Sequence, residues 1–282
     1  MFVTLTKLNW LFLHQSCSLV LFCGCVHFCR CNLCAATPHL FCSSRRAHGS
    51  DTRILLTEYV MLVSPAPSFA VSTNAVMIGE NCFHIRGLKD KQQYSDPDGV
   101  AELAGISSTT WSLFGNVWPS GMILAEMMNV HVLDGLRILE LGCGLGLASM
   151  VAHFRGADIT ASDYHPSARD FFAANISLNN MMPMSFSLCD WAKLQPEMGQ
   201  FDLIIGSDLL YEPNHPALLS SFIDQHSKPT VEVVIIDPDR RQQREFTRAM
   251  EGLGYIYSMA RASSEQIERL QFKGKIMTYR RG

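Results

Sequence analysis

The chain has 282 residues, 48% hydrophobic and 17% charged, with a formal net charge of −3. That balance excludes a globally disordered chain and a strongly basic nucleic-acid binder. No run approaches the roughly 20 consecutive apolar residues of a spanning helix, so neither a nucleic acid nor a membrane is expected as a partner. Seven of the ten cysteines fall in residues 1–60: Cys17, Cys23, Cys25, Cys29, Cys31, Cys34 and Cys42. This segment has no helical or alternating period. As a signal peptide it has too short an apolar run (Leu19–Cys23) and only Lys7 ahead of it. As a zinc knuckle, Cys31-x2-Cys34-x4-His39 lacks its fourth ligand, because Ser44 holds the required position and Cys42 comes two residues early. Residues 1–60 are therefore expected to be an irregular extension, disordered or outside the native reading frame, with Met61 as the natural start. Only Cys82, Cys143 and Cys189 follow, which implies a reduced, cytoplasmic domain without disulfides.

Residues 61–112 read as a linker and a short hairpin region. Residues 64–74 are rich in Ser, Pro and Ala, and residues 75–85 alternate loosely through Val76, Ile78, Phe83 and Ile85. Asp96-Pro97-Asp98-Gly99 signals a turn. Pro119 starts a helix whose stripe is Ile123, Leu124, Met127 and Met128, and Trp118 before it reads as a core aromatic.

From residue 136 apolar runs alternate with helical patterns. Strands are expected at 138–141, 159–162, 184–188, 201–205 and 231–236, then two closing strands at 255–259 and 271–280. The helical faces between them are Leu147/Met150/Val151/Phe154, Ala168/Phe171/Phe172/Ile176, Leu219/Phe222/Ile223 and Phe246/Ala249/Met250/Leu253. Continuous apolar strands separated by helices imply an α/β fold: a doubly wound, mostly parallel, Rossmann-like sheet covered by helices on both faces, carried by residues 113–282. Ligands of such sheets sit beyond the carboxyl ends of the strands, at the switch point.

The loops at those ends hold the chemistry. The first is Glu140-Leu141-Gly142-Cys143-Gly144-Leu145-Gly146-Leu147-Ala148, whose glycines permit a tight turn and close backbone approach. Leu147 stands where a dinucleotide fingerprint needs Gly, and no Lys-Ser/Thr of a P-loop follows, which disfavours a pyrophosphate. Asp163 ends the second strand, 21 positions beyond Gly142, where a carboxylate can accept both hydroxyls of a ribose. Asp190 and Trp191 end the third, suited to an adenine amine and an adenine face. Ser207-Asp208-Leu209-Leu210-Tyr211-Glu212 ends the fourth. Polar groups at a buried strand end are costly without partners and so suggest a site. A nucleoside bearing an amino acid fits this set better than a dinucleotide. His131, His153, His165, His215 and His226 have no metal spacing and read as packing or surface residues, so no metal is expected. Cys143 reads as a small apolar filler, Asn175-Ile176-Ser177 as a helical rather than glycosylated triplet, and Arg240, Arg241, Arg244 and Arg248 as a solvated helix face.

Together these motifs resemble the seven-strand S-adenosylmethionine-dependent methyltransferases. Within that class Val117-Trp118-Pro119-Ser120-Gly121, the Glu140 loop and the Ser207–Glu212 stretch resemble methyltransferase family 16, which includes many protein-lysine methyltransferases. The Asp237-Pro238-Asp239-Arg240 turn is similar to that of the branch acting on the electron-transfer flavoprotein β-subunit. The resemblance implies S-adenosyl-L-methionine as cofactor and a lysine-bearing protein as partner, with the enzyme a monomer. It implies that Gly142, Gly144 and Gly146 line the methionine part and that Glu140 steadies the loop or the cofactor amine. Asp163 then holds the ribose, Asp190 and Trp191 the adenine, Trp118 closes the pocket, and Ser207 joins the cofactor set. Asp208 and Tyr211, the Asp-x-x-Tyr motif, face the transferred methyl and the nucleophile. Two rivals share these motifs: methyl transfer to a small molecule, and a catalytically silent cofactor-binding module.

Overall fold

The computed structural model describes residues 69–282. The readings placed on residues 1–60, and the linker reading over 64–68, lie outside them. The first described elements, β1 (Val71–Ile78) and β2 (Asn81–Leu88), form an antiparallel hairpin closed by Gly79-Glu80. Its inner face carries Ile78, Phe83 and Ile85, all buried, and Leu88 is buried at the end of β2. A short helix α1 (Val100–Leu103) and a 3-10 turn (Trp111–Gly115) lead to α2 (Pro119–Val130), which starts at the expected proline.

The remainder alternates as the apolar pattern requires: β3 (Arg137–Leu141), α3 (Leu147–Phe154), β4 (Asp158–Asp163), α4 (Ala168–Leu178), β5 (Ser185–Leu188), β6 (Phe201–Ser207), α5 (His215–His226), β7 (Ser227–Asp237), α6 (Gln243–Gly252), β8 (Ile256–Ala260), α7 (Ser264–Leu270) and β9 (Lys275–Arg281). The seven strands of the main sheet run in the order β5-β4-β3-β6-β7-β9-β8. Only β9 runs against the direction of the other six strands. Successive residues of the central strands point to opposite faces. Ile138, Leu203, Ile205, Val234 and Ile236 pack with α2, α3, α4 and the hairpin. Leu139, Leu141, Ile204, Val233 and Ile235 pack with α5 and α6. This double burial makes the central strands read as unbroken apolar runs. The chain turns back between β3 and β6, so a crevice opens at their carboxyl ends.

The structure departs from expectation in several details, beginning with strand bounds: β1 starts at Val71, inside the stretch read as linker through residue 74, and β9 starts at Lys275 instead of residue 271. The segment between the closing strands is not all loop: α7 occupies Ser264–Leu270, begun by a reciprocal cap in which Ser263 Oγ accepts from Gln266 N and Gln266 Oε1 accepts from Ser263 N. β7 starts four residues early, because the polar stretch Ser227–Thr230 is held by Lys228 Nζ on Asp202 (2.7 Å) and by an irregular register against Phe201 and Leu203. The N-terminal hairpin is bolted to the body by two asparagines one turn apart on α4. Asn175 accepts from Arg86 N (2.7 Å) and donates to Arg86 O and Leu145 O (3.2 Å each). Asn179 accepts from His84 N (2.8 Å) and donates to His84 O (2.7 Å). The free edge of β2 is thus satisfied by side-chain amides instead of another strand. Asn175 is fully buried, which also closes the glycosylation reading.

Candidate functional site

A cavity of about 800 Å³ opens at the carboxyl ends of β3, β4, β5 and β6. Its wall includes every residue expected to hold the cofactor or the nucleophile, from Trp118 before α2 to Tyr211 after β6.

The β3 loop forms the floor. Gly144 and Gly146 both have positive φ (53° and 78°), and side chains would not fit at either. A Cβ on Gly144 would lie 2.7 Å from Phe114 O, and one on Gly146 2.3 Å from the Phe172 ring. These glycines therefore serve packing as well as close approach to a ligand. Glu140 is buried, and its Oε2 accepts from Ser149 N (2.8 Å) and Ser149 Oγ, tying β3 to the start of α3. Burial is the main force that pushes its carboxyl up to about 7; the Ser149 bonds oppose this and the charge of Asp163 adds to it.

Asp163, at the end of β4, is buried and accepts from Gly144 N (2.7 Å) through Oδ2 and from His165 N (2.8 Å) through Oδ1. It fixes two loops at once and keeps a second lone pair on each oxygen for a ligand. Desolvation raises its pKa against those backbone bonds. Asp190 engages its own loop, accepting from Ala192 N (3.0 Å) and pairing with Lys193 (3.1 Å). Trp191 is partly buried, edge-on to His215 at 5.3 Å. Trp118 donates from Nε1 to Leu113 O (2.9 Å), which fixes the ring against the 3-10 turn while it lines the cavity. Ser207 faces Gly121, whose Cβ would stand 3.6 Å from Ser207 Oγ, so the Trp118–Gly121 segment and the β6 end share one wall.

Asp208 adopts a left-handed backbone (φ 56°), uncommon for a non-glycine residue, with its N–H donated to Ile236 O (2.8 Å). Its Oδ1 accepts from Arg240 Nε at 2.7 Å. Arg240 is itself placed by Asp237, whose Oδ1 accepts Arg240 N (2.7 Å). Tyr211 stands edge-on to His215 at 4.7 Å. Its side chain is still exposed at the cavity mouth, but desolvation by the surrounding wall first, then the carboxylates of Asp163, Glu212 and Asp208, push its phenol up to about 12, so it stays a neutral donor.

Arg240 corrects the sequence reading. It precedes α6 rather than lying on it, and although its side chain is still exposed it sits on the rim of the cavity and pairs with Asp208. Arg241, Arg244 and Arg248 are exposed, as expected of a solvated face. Sequence reasoning also passed over His165 and His215 as wall residues. His165 stacks on Phe114 (centroids 3.9 Å apart), and burial lowers its pKa to about 4. Its Nδ1 accepts from Ser167 N (3.1 Å), so Nε2 carries the proton; that N–H is buried with no protein acceptor among the described residues. His215 donates from Nδ1 to Leu209 O (2.6 Å) and buttresses both Trp191 and Tyr211. Its signal in the sequence was a histidine three positions after the Glu212 that closes the fourth motif. Cys143 and Cys189 are buried thiols with pKa pushed up by desolvation, in the case of Cys189 to about 12, so neither is a ready nucleophile. Among the described residues no group of three His, Cys, Asp or Glu is placed to hold a metal. None of the described helices is long and apolar enough to cross a membrane.

The model of methyltransferase family 16, described as lysine methyltransferase, matches residues 102–252. The chain belongs to this family. Among its curated relatives, the electron transfer flavoprotein beta subunit lysine methyltransferase of Xenopus laevis is 32% identical over 145 residues, 50% of this chain and 57% of that protein. The histone-arginine methyltransferase METTL23 of Rattus norvegicus is 28% identical over 152 residues, 51% of this chain and 66% of that protein. The chain thus spans less than two thirds of either relative. Its fold is similar to the T. thermophilus 16S rRNA N2 G1207 methyltransferase (RsmC), a structure in complex with AdoMet and guanosine (TM-score 0.50, 12% identity, 77% of this chain and 52% of that one). At that identity the likeness speaks for the methyltransferase fold alone.

Proposed function

We propose that this member of the lysine methyltransferase family is an S-adenosylmethionine-dependent enzyme that methylates a lysine side chain of a protein. The observation carrying the proposal is convergence: four strand-end loops bring Glu140, Asp163, Asp190 and Asp208 around one cavity, with Trp118, Trp191 and Tyr211 in its wall. The donor set fits the cofactor. Asp163 has free lone pairs for ribose hydroxyls, Asp190 and Trp191 suit an adenine, and Glu140 lies where a cationic amine would be neutralised. His165 Nε2–H supplies an unpaired donor in the same wall. When bound, S-adenosylmethionine supplies a methyl group already activated on a sulfonium.

The chain's own residues then have to align a neutral nucleophile, and positioning alone contributes ~7–11 kcal/mol of barrier reduction in favourable cases. A lysine ammonium, pKa about 10.4, must lose its proton before attack. Asp208 accepts a hydrogen bond from the amine and orients it, while the proton leaves to solvent rather than to Asp208. The neutral Tyr211 ring walls the entry and offers its π-face to the nitrogen. The chain acts as a cytoplasmic monomer, with residues 113–282 as the methyltransferase domain, 61–112 as its N-terminal appendage and 1–60 as an extension.

Calorimetry with S-adenosylmethionine tests the cofactor. A tritiated-methyl assay on methylation-deficient lysate, followed by mass spectrometry of labelled peptides, tests the substrate. Methyl-lysine in a protein band is expected. The Asp237–Arg240 turn and the Xenopus relative make the electron transfer flavoprotein β-subunit the first purified substrate to try. Label on arginine would favour the activity named for the Rattus relative, and label only in small metabolites would reject protein methylation. Binding without any label would point to a silent module.

A further inference from the structure

Asp208 poses an electrostatic problem that the lysine reading must solve. An unpaired carboxylate at the point of docking stabilises the ammonium form of an approaching lysine, which cannot attack. The groups that bear on it at close range are mostly acidic or neutral: Glu212 and Tyr211 on its own loop, Asp163 from β4 and Asp237 at the end of β7, with His215 of α5 in the same wall. Arg240 is the cation within contact of the carboxylate. It binds Oδ1 at 2.7 Å, and Oδ2 takes no protein hydrogen bond among the described residues. The arrangement is built in from both partners. Asp208 is held in a left-handed conformation by its N–H on Ile236 O, and Arg240 is anchored by its own N–H on Asp237. Of the cations farther along this rim, Lys275 is committed to Asp239 and Gln243 (2.8 Å each), and Arg244 and Arg261 bear on Asp239 rather than on Asp208.

We infer that Arg240 is the positioning residue of the reaction centre: its guanidinium fixes Asp208 through Oδ1 and cancels its charge, so that a lysine docks as the neutral amine and is aligned by Oδ2. The inference rests on the lysine reading above. Arg240 touches neither methyl donor nor nucleophile; it acts through Asp208. An Arg fork suits this task because it stays charged at every working pH and holds a fixed geometry.

The test follows the pH dependence of methyl transfer into the labelled band of methylation-deficient lysate between pH 6.5 and 10, with S-adenosylhomocysteine affinity measured by calorimetry at each pH. Removing a cation in contact with the carboxylate should move the apparent pKa of the docked lysine by about one unit or more. R240Q is therefore expected to shift the midpoint upward by about one unit, giving roughly ten-fold slower transfer at pH 7 that recovers at pH 9–10, with S-adenosylhomocysteine binding unchanged. R240K, which keeps the charge, should stay near the wild-type midpoint. The double variant D208N/R240Q should also return the midpoint to the wild-type position, whatever its absolute rate, because a neutral pair replaces a neutral pair. An equal loss at every pH, a lost S-adenosylhomocysteine site, or a double variant that stays shifted would each overturn the inference. Wild-type protein that binds no cofactor or labels no protein would instead refute the methyltransferase reading, leaving the two failures distinguishable.

Discussion

Asn175 is the residue where stability and the cofactor loop meet, and replacing it by alanine isolates the connection. The side chain is fully buried and makes three hydrogen bonds, to the N–H and C=O of Arg86 and to the C=O of Leu145. Alanine leaves three backbone groups without partners. A buried unsatisfied group costs about 1–3 kcal/mol. Water can reach the half-buried Arg86 more easily than the buried Leu145, so a total of about 3 kcal/mol is expected. That is a large share of the roughly 5–15 kcal/mol that holds a domain together. Urea unfolding followed by circular dichroism measures it, and hydrogen exchange locates it: the amides of β2 and of the Gly144–Gly146 loop should both lose protection. Asn179→Ala removes bonds to an exposed part of β2, where water replaces them, and should cost under about 1 kcal/mol. Equal costs for the two variants, or a loss below about 1 kcal/mol for Asn175→Ala, would refute the reasoning.

Asp163→Ala should weaken S-adenosylmethionine binding at least ten-fold by calorimetry, since it removes both the ribose acceptor and the anchor of Gly144; unchanged affinity would remove the ribose assignment. Asp208→Ala should lower turnover in the labelling assay while leaving cofactor affinity within about two-fold, and a parallel loss of both would place Asp208 in cofactor binding instead. The raised pKa of Glu140 has a stability consequence. The folded state keeps a proton that the unfolded chain releases between pH 4.5 and about 7, so the stabilisation is full below 4.5 and is lost as pH rises through 7. Over that window the difference amounts to about 3 kcal/mol at 1.36 kcal/mol per unit. Glu140→Gln should flatten this slope in urea titrations run from pH 4.5 to 7.5, leaving only what Asp163 and Asp237, whose carboxyls burial also raises, contribute, and parallel curves for variant and wild type would contradict it. A cationic cofactor beside Glu140 should drive that proton off, so calorimetric binding enthalpies near pH 7 should vary with the ionisation enthalpy of the buffer; buffer-independent values would mean that Glu140 does not sense the ligand.

The sheet and the loops around the cavity were legible because their signals are local. A strand buried on both faces must be continuously apolar, a helix must repeat every three to four residues, and a tight turn into a helix must carry glycine. Those rules alone brought Gly142, Asp163, Asp190 and Asp208 to the ends of neighbouring strands. α7 was also signalled, by Ser263 and Gln266 at capping-box spacing, but its roughly two turns carry no buried stripe to give it away.

What needed the tertiary structure was every contact between residues far apart in the chain. Arg240 belongs by pattern to a basic helix face, and only the closing of β7 beside β6 carries it 32 positions back onto Asp208. Asn175 and Arg86 are 89 positions apart, and no period or spacing in the sequence connects an amide on a helix with the bare edge of a hairpin. Backbone propensity is written residue by residue, whereas the partner of a charge or a buried amide is set by where packing leaves it. The alternating pattern therefore determined the fold and the place of the cavity; packing alone decided which side chains neutralise, anchor and orient the groups inside it.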